Sequence, residues 1–146
     1  MKPEIKEAYM KTAELFAEVS NCEKLKVGAI VVKNGSILAH GWNGTPSGFH
    51  TNCCELEDGT TNPFVLHAEQ NALVKMAKSS ESIDGAELFC THSPCPDCSK
   101  MLAQAGIKKV YYRTEYRISD GIDVLKKVYD IDLGPARILN KIWLSY

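Results

Sequence analysis

The chain has 146 residues, of which 45% are hydrophobic and 24% charged, and its formal net charge is −1. These values are typical of a globular protein with a core of its own, so we expect residues 1–146 to form a single domain. The charge predicts no basic face for a nucleic-acid polymer, although a small anionic ligand needs only one or two local cations. No apolar run reaches membrane-spanning length and the N-terminus lacks a signal-peptide core, so we predict a cytoplasmic protein.

The first third of the chain predicts a helix followed by a hairpin. Apolar residues at helical spacing predict a helix over Glu4–Ser20. Two β-rich runs, Lys26–Val32 and Ser36–Trp42, flank an Asn-Gly pair, which favours a tight hairpin turn. Several glycines and prolines follow in Asn43–Pro63, which predicts a long loop of the kind that is often functional.

Helices and strands alternate in the remainder. The predicted order is a helix over His67–Lys78, a strand over Ala86–Thr91, a helix over Cys95–Ala105, a strand over Ile107–Arg113, a helix over Ser119–Tyr129 and a last strand at Ile131–Leu133 or Arg137–Leu139. Alternation after an opening hairpin predicts an α/β fold with three α-β-α layers, in which helices cover both faces of a mixed sheet of roughly five strands.

Two short motifs carry candidate metal ligands, a His-Ala-Glu run at 67–69 and a Pro-Cys-Pro-Asp-Cys run at 94–98. Cys95 and Cys98 are three residues apart at the start of a predicted helix, where the helix dipole favours thiolates. His67 also opens a predicted helix, so two helix starts that meet would bring one imidazole and two thiolates together. Three protein ligands leave the fourth position of a tetrahedral zinc ion for water, as in catalytic sites.

Glu69 is the candidate catalytic residue. It follows His67 by two positions and is therefore placed to accept the proton of a zinc-activated water and to pass it on. The two motifs together are a signature of zinc nucleobase deaminases. Each motif alone is weak: a structural zinc could take its fourth ligand from His50, Cys53 or Cys54, and a lone C-x-x-C could be a redox pair.

Six cysteines are present in the chain. Without a secretory signal, metal ligation is a more common use of cysteine than a disulfide. Cys90 lies in a predicted strand and is expected in the core, and His92 is expected beside the zinc site without ligating the metal.

Beyond the zinc motifs, the chain resembles the deoxycytidylate (dCMP) deaminases of the zinc-dependent cytidine deaminase superfamily, with phage-type features. The similar part extends from about Cys22 to Leu133, and a Gly-x-Asn-Gly-x-Pro-x-Gly run at 41–48 is its most specific motif. The other matching runs are residues 26–32, 67–72, 93–98 and 104–112, together with Asn-Cys-Cys at 52–54.

This resemblance implies hydrolytic deamination of dCMP to dUMP and ammonia, which supplies dTTP synthesis, in a homo-oligomer that is typically a hexamer. It also implies activation by dCTP with Mg²⁺ and inhibition by dTTP. The substrate-binding residues that it implies are Asn43 and Thr45 for sugar or phosphate, the Ala68 backbone for the base edge, and Lys26, Tyr116 and Arg117 for phosphate. The loop residues Gly44, Pro46 and Gly48 become candidates for the regulatory nucleotide. Some phage-type members carry a second zinc, for which the candidate ligands are Cys22, His50, Cys53 and Cys54.

Two alternatives stay open from the sequence. The tRNA adenosine deaminases, which share both zinc motifs but lack the glycine-rich run, are the first. A non-catalytic zinc module that binds nucleotides or partners is the other, although it has no use for the carboxylate of Glu69.

Overall fold

The structure is a computed structural model, and it describes residues 1–115. Its elements in chain order are α1 (Pro3–Ala17), β1 (Gly28–Lys33), β2 (Ser36–Trp42), α2 (Ala68–Ala77), β3 (Glu87–His92), α3 (Pro96–Gln104) and β4 (Lys109–Thr114). Each predicted element up to residue 115 is present, with ends that differ by at most three residues. The predicted helix at 119–129 and the last predicted strand lie outside the described residues. No helix within residues 1–115 is long and apolar enough to cross a membrane.

The strands form a mixed sheet in the order β2-β1-β3-β4. β1 is antiparallel to both β2 and β3, whereas β3 and β4 are parallel. Asn34 and Gly35 connect β1 to β2 with positive φ angles of 50° and 77°, as a type I′ turn requires. The mixed α/β fold is therefore confirmed, with four strands among the described residues against the predicted five.

Helices cover both faces of this sheet. Alternate residues of β1 point to opposite faces, so Ala29 and Val31 pack with α2 and α3 while Ile30 and Val32 pack with α1. All four side chains are buried, with exposed fractions of 1% or less. A strand buried on both faces explains why this run is continuously apolar in the sequence.

Gly41 allows α2 to approach the sheet closely. A Cβ at Gly41 would lie 2.3 Å from the carbonyl oxygen of Ala68 and 2.7 Å from the backbone nitrogen of Ala72. Any side chain at this position of β2 would therefore push the first turn of α2 away from the sheet. That turn carries the candidate catalytic residues, so Gly41 helps to set their position.

One edge of the sheet collects the elements that carry the site. Because β1 is antiparallel to both neighbours, its first residue, Gly28, lies at the same edge as the ends of β2 and β3, at Trp42 and His92. The chain leaves β3 at this edge and enters α3. Loops at the carboxyl ends of strands are the usual place for binding sites in α/β sheets.

Candidate active site

The three predicted metal ligands meet at the starts of two helices. His67 is the N-cap of α2 and Cys95 is the N-cap of α3, while Cys98 lies in the first turn of α3. Nδ1 of His67 lies 3.5 Å from Sγ of Cys95 and 3.3 Å from Sγ of Cys98. Among residues 1–115 this is the one group of three histidine, cysteine or acidic side chains that could hold a metal ion, and its ligand atoms lie within 4.8 Å of one another.

These separations fit a zinc ion. Bonds of about 2.0 Å to nitrogen and 2.3 Å to sulfur at tetrahedral angles place a nitrogen and a sulfur ligand about 3.5 Å apart. Both nitrogen–sulfur distances in the structure lie within 0.3 Å of that value. His67, Cys95 and Cys98 would therefore hold zinc as three ligands, a number typical of catalytic rather than structural sites.

Electrostatic interactions among the three side chains favour a bound cation. A hydrogen bond with the Cys98 side chain lowers the pKa of Cys95 to about 4, and the same contact raises the pKa of Cys98. The backbone N–H of Cys98 also donates to Sγ of Cys95 at 3.5 Å. The hydrogen bond with Cys95 in turn raises the pKa of His67. These contacts stabilise the Cys95 thiolate, which is a ready ligand for a cation, whereas metal binding must still displace the protons of Cys98 and His67.

Glu69 lies in the first turn of α2 and is almost fully buried, with 3% of its surface exposed. Burial is the largest influence on its carboxyl group and raises the pKa, since a charged carboxylate is poorly solvated there. Sγ of Cys90 lies 3.2 Å from its Oε1 and donates to it. A carboxyl group whose pKa is raised holds a proton more readily than an exposed one, which suits a residue that must accept and release protons in acid–base catalysis.

Two of the candidate ligands, His67 and Cys95, line a cavity of about 170 Å³ at this edge of the sheet, together with Glu69. Segments that are distant in sequence supply its wall, including the loops before β1 and before α2. The residues that line it are Cys22, Lys24, Leu25, Val27, Asn43, Cys54, Glu55, Thr61, Val65, His67, Ala68, Glu69, His92, Ser93 and Cys95. The candidate metal ligands, the candidate acid–base residue and an open cavity therefore occur at one place in the structure.

The predicted substrate residues divide into two groups. Asn43 and Ala68 line the cavity, but the amide of Asn43 already accepts from the backbone of Val27 and donates to the carbonyl of Leu25. Thr45 is not among the lining residues, and its hydroxyl donates to the carbonyl of Thr51. Tyr116 and Arg117 lie outside the described residues.

Lys26, a predicted phosphate-binding residue, does not line this cavity in the structure. Its Nζ donates to the carbonyl oxygen of Ser20 at 2.6 Å, and Lys26 is absent from the cavity lining. Lys24 lines the cavity instead. It lies on an exposed segment, and its own backbone N–H donates to Oε1 of Glu55. No sequence motif marks Lys24, and which lysine lies at the cavity depends on the path of the segment before β1.

Cys90 is the second residue that sequence reasoning placed incompletely. It is fully buried in β3, as expected, but it also contacts the candidate catalytic Glu69. His92 behaves as predicted: it lines the cavity, its ring shares a hydrogen bond with Thr91, and it is not part of the ligand group.

The glycine-rich loop surrounds a second cavity of about 230 Å³. The loop candidates for a regulatory nucleotide, Gly44, Pro46 and Gly48, all line it, together with Thr45. Asn43 lines both this cavity and the first one. The two cavities are therefore neighbours that share one side chain.

The second zinc site is not found in the structure. Cys22 and Cys54 form a disulfide across a sequence separation of 32, and sulfurs bonded to each other are not thiolate ligands. Cys53 is an exposed free cysteine, and His50 joins no group that could hold a metal among residues 1–115. The expectation that these cysteines serve metal ligation rather than a disulfide is therefore wrong for Cys22 and Cys54.

Comparison with known proteins agrees with this geometry. Residues 3–114 match the family model of the cytidine and deoxycytidylate deaminase zinc-binding region. The chain therefore belongs to the cytidine and deoxycytidylate deaminase family, and the resemblance to dCMP deaminases is confirmed.

Individual relatives differ in how closely they match. A crystal structure of dCMP deaminase from cyanophage S-TIM5, in complex with dCMP and dUMP, is 89% identical with a TM-score of 0.87, covering 88% of this chain and 94% of that one. The deoxycytidylate deaminase of Enterobacteria phage T4 is 33% identical, with 91% of each chain covered. A structure from work on tRNA:A34 deaminases is 23% identical with a TM-score of 0.53, covering 75% of this chain and 72% of that one, and it supports the fold alone.

Proposed function

We propose that this chain catalyses the hydrolytic deamination of dCMP to dUMP and ammonia. The observation that carries the proposal is the buried carboxyl of Glu69 in a cavity beside three ligands that fit zinc and leave its fourth position for water. The cyanophage relative, crystallised with dCMP and dUMP, supports this choice of substrate and product. The chemistry needs a metal, a proton carrier and a site for the base, and the cavity offers all three.

In this proposal, His67, Cys95 and Cys98 hold the zinc ion, which when bound supplies Lewis-acid activation of water. Glu69 accepts the proton of the attacking water and delivers it to N3 of the cytosine ring. It then accepts the proton of the hydroxyl group that the water has left on C4 and carries it to the amino group, so that the C4–N bond breaks, ammonia leaves and the C4 carbonyl of dUMP remains. Burial helps the second half of this cycle, because the raised pKa makes the protonated carboxyl group easier to form. The Ala68 backbone, at the cavity wall, is the proposed reader of the base edge.

We propose Lys24 as a cation that binds the 5′-phosphate. Tyr116 and Arg117, from the sequence prediction, complete the proposed phosphate site. A charge-assisted bond to phosphate stabilises dCMP but has no partner in deoxycytidine. Lys24→Gln should therefore lower kcat/KM for dCMP about tenfold more than for deoxycytidine. Lys26→Gln is the matched control, since the Lys26 ammonium binds the Ser20 carbonyl. An equal effect of Lys24→Gln on both substrates would remove this residue from the phosphate site.

Regulation by nucleotides is the further part of the proposal. The second cavity, lined by Gly44, Pro46 and Gly48, would bind dCTP with Mg²⁺ as activator or dTTP as inhibitor in a cytoplasmic homo-oligomer, with a hexamer as the expected size. Glycines in its wall let phosphate oxygens approach backbone N–H groups closely. Asn43 offers a route between the sites, because it lines both cavities. Sigmoidal dCMP kinetics that dCTP makes hyperbolic would support regulation, and hyperbolic kinetics unchanged by either triphosphate would contradict it.

The decisive experiment compares substrates on one metal-analysed sample. Deamination of dCMP, deoxycytidine, dCTP and an adenosine-bearing RNA hairpin is measured side by side, with zinc counted per chain. We expect one catalytic zinc and the highest kcat/KM for dCMP. Preference for the RNA would favour a tRNA-type deaminase. No turnover together with a fourth protein ligand in metal spectroscopy would favour a non-catalytic zinc module.

A further inference from the structure

Cys90 is a buried thiol with a specific polar contact. It lies in β3, pairs with Ala29 of β1 and Tyr112 of β4, and has no exposed surface. A cysteine at such a position normally serves as a small apolar side chain. Here its Sγ lies 3.2 Å from Oε1 of Glu69, which is hydrogen-bond distance for sulfur. The contact joins the centre of the sheet to the first turn of α2.

The Cys90 side chain acts as the donor in this contact. Burial, followed by the nearby Glu69 carboxylate, raises the pKa of Cys90 well above its usual value, so the thiol keeps its proton. A carboxylate has no proton to give and accepts the bond. The direction of the hydrogen bond is therefore from Sγ of Cys90 to Oε1 of Glu69.

This donor is compatible with a loaded metal site. Cys90 is not one of the candidate ligands, so a zinc ion held by His67, Cys95 and Cys98 would leave the hydrogen bond from Cys90 to Glu69 in place.

We propose that Cys90 is a positioning residue that fixes the Glu69 carboxylate for proton transfer. Glutamate has three rotatable side-chain bonds, and holding it in one geometry opposes considerable rotamer entropy. The bond from Cys90 holds one carboxylate oxygen against the sheet and leaves the other for the reacting proton. The inference rests on the proposed deamination of dCMP, in which Glu69 moves that proton.

The test compares Cys90→Ala with Cys90→Ser, which differ by one hydroxyl donor. A thiol is a weak donor, so its loss in Cys90→Ala should lower kcat about three- to tenfold with KM for dCMP unchanged. Cys90→Ser should keep kcat within about twofold of the unmodified protein, because a hydroxyl can replace the donor. Cys90→Val, which has no donor but more bulk than alanine, provides a second variant if Cys90→Ala does not fold.

A binding measurement separates positioning from general damage. The probe is a deoxynucleoside monophosphate with a 2-pyrimidinone base, which can accept water at C4 but has no amine to lose. Its Kd should rise in Cys90→Ala by about the same factor as kcat falls, while the Kd of dUMP and the zinc content stay constant. Val110→Ala is the control for lost packing, because Val110 lies in the same apolar cluster and its aliphatic side chain has no donor for Glu69.

Two results would overturn the proposal. Unchanged kcat and probe affinity in Cys90→Ala would show that Glu69 needs no such donor. Equal losses in the serine and alanine variants, matched by Val110→Ala at similar stability, would assign Cys90 to packing alone. Failure of the unmodified zinc-loaded protein to deaminate dCMP is a different outcome, because it would refute the proposed function.

Discussion

The variant Gly41→Ala tests whether the position of α2 affects activity beyond its effect on the stability of the fold. The new Cβ would meet the Ala68 carbonyl oxygen at 2.3 Å, whereas ordinary contacts begin near 3.4 Å, so the helix must retreat by about 1 Å. Neither backbone atom can rotate out of the way. We expect a loss of about 1–3 kcal/mol in the free energy of unfolding from the overpacking. Glu69 lies between Ala68 and Ala72 in the turn that moves, so kcat/KM should fall about 100-fold.

Gly28→Ala is the matched control for this prediction. Its Cβ would lie 2.0 Å from the carbonyl oxygen of Ala13, an even closer clash, but with α1 on the opposite face of the sheet. Unfolding by urea and kcat/KM for dCMP are measured for both variants at a temperature where each is folded and zinc-saturated. The control should lose at least as much stability and far less activity. Losses of activity that simply follow stability in the two variants would refute the positional argument.

Three further predictions test the proton carrier, the metal ligands and the disulfide separately. Glu69→Gln should keep zinc but lower kcat about 10²- to 10⁴-fold, and near-normal turnover in a zinc-loaded sample would contradict its role as proton carrier. Cys95→Ser and Cys98→Ser should each lose zinc and thermal stability, with the exposed Cys53→Ser unchanged in both respects; full zinc occupancy in the first two would mean that the ligands are wrong. Cys22→Ser opens a cross-link that spans 32 residues, which corresponds to ~4 kcal/mol in the chain-entropy model. Identical urea unfolding of the unmodified protein with and without reductant would show that this cross-link does not form.

The candidate metal site could be predicted from sequence because its information is local. An i, i+3 cysteine pair and a histidine at helix starts determine which side chains share a face before the tertiary structure is known. The structure refines this by one position, since His67 and Cys95 are N-caps rather than first helical residues. Extended backbone at an N-cap changes the direction of the side chain, and this direction brings Nδ1 of His67 to both sulfurs.

Contacts between distant segments could not be predicted in the same way. The pairing of Cys22 with Cys54 joins two irregular segments, for which neither periodicity nor register applies. The contact of Cys90 with Glu69 depends on where α2 crosses the sheet, although the strand pattern correctly predicted a buried thiol. The Lys26 ammonium donates to the backbone carbonyl of Ser20, six residues earlier in the chain. The sequence alone does not distinguish a lysine with such a contact from one that binds phosphate.

These same irregular segments supply much of the cavity wall outside the candidate metal ligands and Glu69. The fold alone does not specify a substrate, because one fold can carry sites for different ligands. In this chain the cavity wall away from the metal comes from the segments around Lys24 and Glu55. The Glu55 carboxylate accepts from the backbone N–H groups of Glu23 and Lys24, and the neighbouring disulfide joins the two segments covalently. Lys24 is thereby held at the cavity on a braced backbone, which restricts where an anionic group can bind. Variants in this wall should alter the ratio of dCMP to deoxycytidine turnover, whereas variants of the ligands and of Glu69 should lower both rates together.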